Sequence, residues 1–372
     1  MRFSSLVEKI DISGIRKMFE ASSENAINLG LGEPDFDTPE NVKRAAIEAI
    51  ERGFTKYTHN AGIRELREAI SEKFRKENKL DYSPDEILVT SGASEALYIA
   101  LRAILDEGDE VLVPDPGFVS YSNLTILCGG VPVGVPLEKD FTLSPDRVME
   151  FLSERTRAII LNSPSNPTGA VQSRESIRGI AEIAEDHELV IISDEVYEYF
   201  VYEGEHHSPG CFTDNCITVN ATSKSYAMTG WRLGYLGAPK EFVEQMIKVH
   251  QYVQACAPSI SQYAALAALR GSRDFVEMMV GEFRKRRDFV YEALRELDFE
   301  VQKPKGAFYI FPKVENSFEF TMELLKRGVI TVPGRAFGRN GEGYVRISYA
   351  TKMENLKKAM EIMRDVVSQF RK

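Results

Sequence analysis

The chain has 372 residues, 43% hydrophobic and 27% charged, which is ordinary globular usage and long enough for one large and one small domain. A formal net charge of −10 argues against nucleic acid or an anionic membrane as the main partner, and four scattered cysteines (Cys128, Cys211, Cys216, Cys256) are too few for a disulfide scaffold. The opening MRFSSLVEKIDISG breaks its apolar residues with Glu8, Lys9 and Asp11, and no later apolar run reaches the roughly 20 residues of a membrane span, so a cytoplasmic protein is expected.

Along the chain, the first 38 or so residues offer little core of their own, and GLGEPDFDTP is a loop of turn-formers. Gly30 and Gly32 imitate the start of a dinucleotide fingerprint, but the third glycine would fall on Asp35, which argues against a nicotinamide enzyme. From about residue 86 to 239, short β-rich runs recur: EILVTSG, EVLVPDP, VPVGVPL, RAIILNSP, LVIISDE, CITVNATS and LGYLGAP. Amphipathic segments such as SEALYIALRAILDEG and SRESIRGIAEIAEDHE separate most of them. Near-continuous apolar strands alternating with helices predict a doubly wound α/β domain, whose ligands gather at the strands' carboxyl ends. After about residue 273, a long charged helix, GAFYIFPKV, a further helix, VITVP, GYVRISYA and a closing amphipathic helix predict a small α+β unit.

Several strand ends carry chemistry. LVIISDEVYEYF places Asp194, Glu195 and Tyr197 where a strand runs out. A Walker-type metal site would need a glycine followed by lysine, and none of the 26 glycines has one. RAIILNSPSNPTG ends in a rigid loop with Asn162, Asn166 and Pro167, and TSGASEALYIALRAIL passes through Gly92, Ala93 and Ser94 into a helix whose first amides suit a phosphate. TSKSYAMTGWRLGYLG follows an apolar run with Lys224 between Ser223 and Ser225, and Arg232 after it. HHSPGCFTDNC gathers His206, His207, Cys211 and Cys216, but its spacing matches no common zinc pattern and reads as a plain surface loop. His59, His187 and His250 read as structural. An amine, an acid, a phenol, an amide and a phosphate cradle together suit pyridoxal phosphate: the lysine forms a Schiff base with its aldehyde, and the acid keeps the ring nitrogen protonated.

NSPSNPTG, SDEVYEYF, SKSYAMTGWRLGY and YVRISYA, in that order, resemble the signature set of the class I aminotransferases of fold type I, the aspartate aminotransferase superfamily. The resemblance covers nearly the whole chain. It implies an α/β fold with a mostly parallel seven-stranded sheet in a large pyridoxal-phosphate-binding domain over residues 39–284. A small α+β domain would be formed from 1–38 and 285–372. It implies Lys224 as the Schiff-base lysine and proton shuttle, Asp194 on the ring nitrogen, and Tyr197 with Asn166 on the ring oxygen. Ser223, Arg232 and the Gly92-Ala93-Ser94 turn would hold the phosphate, and Phe118 would stack on the ring. Tyr57 would reach the neighbouring active site of a homodimer, and Gly32, Asn166 and Arg346 would receive the substrate carboxylate. Family likeness also suggests that the Asn166-Pro167 and Asp115-Pro116 bonds are cis.

The reaction expected is amino transfer from an L-amino acid to 2-oxoglutarate by a ping-pong mechanism, aspartate first and aromatic amino acids next. Strict aspartate specificity is in doubt, because VHQYVQACAPSISQYAALAAL has no arginine and the phosphate turn has Ser94 where some relatives carry lysine. The scaffold also hosts carbon–sulfur β-lyases, which are the alternative. A pyridoxal-phosphate-sensing regulator would need a DNA-binding extension, for which the motifs leave no room before Gly30.

Overall fold

The computed structural model describes residues 3–10 and 26–370; expectations that fall on 11–25, part of the first segment, lie outside the described residues. Strand β1 (Ile27–Asn28) stands apart from the main sheet. That sheet is formed by β2 (Ile87–Thr90), β3 (Glu110–Asp115), β4 (Val131–Pro136), β5 (Thr156–Asn162), β6 (Val190–Asp194), β7 (Cys216–Ala221) and β8 (Gly234–Gly237). Their order is β2-β8-β7-β6-β5-β3-β4, with β8 antiparallel to both its neighbours and the other pairs parallel. This is the mostly parallel seven-stranded sheet that the resemblance implied, in the α/β domain expected from the alternating pattern.

The sheet is apolar on both faces because helices cover both. Successive residues of a strand point opposite ways, so Ile192 packs with Leu97, Ala100 and Met246 on one side while Ile191 packs with Val148, Ile180 and Ala184 on the other. The helix Arg174–Asp186 shows how locally this is written: Ser173 caps it by accepting from the Ser176 amide, and Ile177, Ile180, Ala181 and Ala184 form its buried stripe. Parallel β5 and β6, with β7 beside them, therefore end at one edge, where the chain delivers Asn162, Asp194 and, just past Ala221, Lys224.

Beyond that edge lie β9 (Tyr309–Ile310), β10 (Val329–Ile330), β11 (Val332–Pro333) and β12 (Val345–Ser348). β1 pairs in parallel with β10, and β11-β12-β9 form an antiparallel sheet. The helices Asp274–Glu296, Ser317–Lys326 and Met353–Phe370 cover these strands through Phe283, Leu324 and Met363, in one core with Leu29. That core reaches Tyr197, Phe200 and Ala221, so β12 lies against the carboxyl edge of the main sheet. The Asp115-Pro116 and Asn166-Pro167 bonds are cis, as expected, and Ser163-Pro164 is cis as well.

Phe283 is fully buried and meets the rings of Phe36, Phe200 and Phe308 at 5.6, 5.6 and 5.3 Å. Truncating it to alanine should cost about 3–5 kcal/mol of unfolding free energy in a urea titration. A loss below about 1 kcal/mol would contradict this packing.

Candidate active site

A cavity of about 260 Å³ opens at the sheet's carboxyl edge, and most of the predicted residues line it. Lys224 arrives from β7, every residue of which is buried, on a single helical turn, Thr222–Ser225. Its Nζ donates to the Gly32 carbonyl at 2.6 Å. Burial lowers its pKa to about 8, with the Arg346 and Arg232 charges adding to that and Glu33 opposing it.

Asp194 ends β6 and is buried; its Oδ2 accepts from the Tyr121 hydroxyl at 2.7 Å and its Oδ1 from the Val196 amide at 3.4 Å. Burial pushes this carboxyl up to about 6 against those two hydrogen bonds, so it is poised to ionise fully when a cation is brought to it. Asn162 laces β5 to β6, donating to the Asp194 carbonyl at 2.9 Å and accepting from the Asn166 amide at 2.8 Å. The Tyr197 hydroxyl shares a hydrogen bond with the Tyr309 hydroxyl at 2.8 Å, and burial raises its pKa well above the usual phenol value.

Arg346 is 1% exposed on β12. It donates from Nη1 to Asn166 Oδ1 at 2.8 Å and from Nη2 to the Gly30 carbonyl, and it lies between the rings of Tyr309 and Phe337, each 4.6 Å away. Its Nε has no partner, and no carboxylate pairs with the guanidinium among the described residues. Burial lowers its pKa. A buried guanidinium held only by neutral groups is a site for an anion.

The phosphate cradle also takes shape. Gly92, at φ +81°, turns the chain out of β2 into the helix Ala93–Ile104, whose first amides have no intrahelical acceptor. A Cβ at Gly92 would stand 2.5 Å from Arg232 Nη2, so only glycine lets that guanidinium approach. Ala93, Ser94, Ser223 and Arg232 line the cavity together. Phe118 lines it too, edge-on to Tyr121 at 5.6 Å. Gly32 lies on the opposite wall, where a Cβ would fall 1.9 Å from the Tyr309 hydroxyl. Tyr57 is not among the lining residues and is 88% exposed.

Tyr121, Asn162 and Tyr309 also line the cavity but carry no role in the sequence reading. Asn162 was visible as a second amide at the same strand end, whereas nothing local marks either tyrosine. The histidine-rich loop is not a plain surface loop. His206 and Ser208 turn inward onto Glu195 at 2.9 and 2.6 Å, while Cys216 lies buried in β7 and Cys211 is exposed.

A half-buried amine, an acid, a phenol, an amide and an anion cradle around one cavity fit pyridoxal phosphate group by group. With this sheet order they define an enzyme of fold type I. Residues 24–363 match the family described as aminotransferase class I and II. The chain is 49% identical to a protein of Methanocaldococcus jannaschii named "Probable aspartate aminotransferase", covering 98% of this chain and 99% of that one. It is 46% identical, with 99% of each covered, to aromatic-amino-acid aminotransferase 2 of Thermococcus litoralis. Among solved structures, the Thermus thermophilus aspartate aminotransferase with maleate aligns with a TM-score of 0.95 and 42% identity, covering 98% of this chain and 100% of that one. The chain belongs to the class I pyridoxal-phosphate-dependent aminotransferases.

Because burial lowers the Lys224 ammonium to about 8, its neutral, nucleophilic form dominates above that pH and falls away below it. The rate at which cofactor-free protein captures pyridoxal phosphate should therefore rise about tenfold per pH unit up to that point and level off beyond it. Stopped-flow absorbance gives the profile, and a midpoint near an ordinary lysine value would contradict the burial argument.

Proposed function

We propose that this enzyme moves the amino group of an L-amino acid to a 2-oxo acid by a ping-pong mechanism. Aspartate ranks first as donor, aromatic amino acids next, and 2-oxoglutarate is the acceptor. The observation that carries the reading is the fork of Arg346, buried without a carboxylate partner over the cavity that holds the half-buried Lys224. A planar guanidinium suits the α-carboxylate that every amino-acid substrate shares. Bound pyridoxal phosphate supplies an aldehyde for the lysine and a ring that accepts electrons from the substrate carbon.

Each residue then has a task. Asp194 holds a proton on the ring nitrogen, and Tyr197 and Asn166 donate to the ring oxygen. Gly92, Ala93, Ser94, Ser223 and Arg232 take the phosphate, and Phe118 covers one face of the ring. Lys224, whose pKa burial lowers to about 8, would remove the α-proton and return it to the cofactor carbon that carried the aldehyde. Gly32, with Asn166 and Arg346, orients the substrate carboxylate. Tyr57, on an exposed loop of one protomer, reaches the phosphate of its partner in a homodimer.

Residues 39–284 form the cofactor-binding domain, and 1–38 with 285–372 the domain that brings Arg346 over it. The β1–β10 pairing, which joins the two ends of that smaller unit, supports this division. Four unpaired cysteines, and the lack of any described helix long and apolar enough to cross a membrane, suit a cytoplasmic enzyme. The donor ranking rests on the names of the relatives and not on charge. Among the described lining residues the cations are Lys224, Arg232 and Arg346, each already given a task, so a distal carboxylate meets neutral donors.

Lys224→Ala should abolish transamination, and borohydride reduction of the wild-type protein should attach the cofactor at Lys224. An adduct on another lysine would sink the assignment. Arg346→Lys should keep the cofactor spectrum and lose about 2–4 kcal/mol in kcat/KM, equally for aspartate and an aromatic donor. A loss confined to aspartate would place Arg346 at the distal carboxylate instead. With the wild-type enzyme and with Arg346→Lys, keto acid should form without ammonia.

A further inference from the structure

The segment from Asp194 to Glu198 has two sides. Asp194 and Tyr197 line the cavity, while Glu195 and Glu198 are buried away from it. Glu195 Oε1 accepts from the hydroxyls of Ser193 and Ser208 at 2.9 and 2.6 Å, and its Oε2 from His206 Nε2 and Asn78 Nδ2 at 2.9 and 3.5 Å. Glu198 Oε1 accepts from Lys73 Nζ and from Asn220 Nδ2 at 2.7 Å, and its Oε2 from Asn78 Nδ2 at 2.6 Å. Lys73 closes the set by donating to Asn78 Oδ1 at 2.7 Å. Burial opposes the ionisation of Glu198, yet the adjacent Lys73 charge holds its pKa below the usual range.

The grips come from separate elements. Lys73 ends the helix Arg64–Lys73, and Asn78 closes the wider π-helical turn Phe74–Asn78 that follows it. Asn220 lies on β7, and His206 with Ser208 on the loop before it. The Glu195, Glu198 and His206 donor atoms lie within 4.8 Å of one another, a spacing that would also suit a cation, but the Lys73 ammonium against Glu198 already supplies that charge.

A buried ion pair of this kind is poor value for stability, since well-packed apolar residues of equal volume are often as good or better. What it does supply is fixed geometry, because each carboxylate has donors from several directions and one position satisfies them all. Catalytic groups must be held to within about 0.5 Å by neighbours that are themselves locked. We propose that Glu195 and Glu198 are positioning residues. Gripped from behind by Lys73, Asn78, His206, Ser208 and Asn220, they fix the segment that aims Asp194 at the ring nitrogen and Tyr197 at the ring oxygen. This rests on the roles given above to Asp194 and Tyr197.

The test compares Asp194→Ala, Glu195→Ala and Glu195→Gln in the full-length enzyme, with folding checked by circular dichroism. Asp194→Ala should abolish turnover. Glu195→Ala should bind cofactor in full but lower kcat about tenfold or more, with KM changed less than about threefold, and should shift the visible band of the bound cofactor. In cofactor-free protein it should also speed amide hydrogen exchange at Val196 and Tyr197. Glu195→Gln keeps the acceptor for Ser193 and Ser208 and should recover most of the rate. An active Asp194→Ala would overturn the cofactor reading and this proposal with it. If Asp194→Ala is dead but Glu195→Ala loses only stability, with kcat, spectrum and exchange as in wild type, the positioning role alone falls. Should Glu195→Ala not fold, Ser208→Ala removes a single donor; a smaller shift of kcat and exchange in the same directions supports the proposal, and wild-type values overturn it.

Discussion

Taking an ion out of water costs several kcal/mol even after a protein relaxes around it, and this chain does so three times at one edge of one sheet. Arg346, Lys224 and Asp194 share a cavity, and none of them forms an ion pair with another described residue there. Arg346 is carried by a side-chain amide, a backbone carbonyl and two aromatic faces; Lys224 by one carbonyl; Asp194 by a phenol and one amide. Each contact offsets part of the desolvation without neutralising the charge. The pKa directions record the shortfall: the two cations are pulled down and the acid is pushed up to about 6, all by burial. A cavity so lined is complementary to groups it does not itself contain: a carboxylate would answer Arg346, an aldehyde Lys224 and a basic ring nitrogen Asp194.

The architecture was legible because the strands are buried on both faces. A strand such as β6, sandwiched between helices, must be apolar at nearly every position, so a polar residue at its end announces where the sheet stops and chemistry begins. The same contrast exposed Asp194, Asn166 and Lys224, whereas Arg346, inside β12, was marked by the family resemblance. Tyr121 and Tyr309 gave no such signal. Their hydroxyls reach Asp194 and Tyr197 across 73 and 112 residues of chain, and a tyrosine among apolar neighbours looks like core until its partner is known. Lys73 was hidden for a similar reason, since a lysine in a charged helix reads as solvated surface, and only the fold turns it inward onto Glu198. His206 was misplaced because spacing tests for metal ligands say nothing about buried carboxylates nearby.

Tyr309 shows how tightly the two halves of the cavity depend on one another. Its hydroxyl meets Tyr197 in the turn just past β6, and its ring lies against the Arg346 guanidinium at 4.6 Å. The same hydroxyl stands where a Cβ on residue 32 would be, at 1.9 Å, so the loop from Gly30 to Gly32 passes only because residue 32 has no side chain. That loop is held in turn by Arg346 on the Gly30 carbonyl and by Lys224 on the Gly32 carbonyl. Any side chain at residue 32 would push Tyr309 aside, and the displaced ring would release both the Tyr197 hydroxyl and one face of Arg346. The groups proposed to hold a ring oxygen and a substrate carboxylate are thus set by a single aromatic side chain. A close approach of backbone to ring, and not a further charge, keeps them in register.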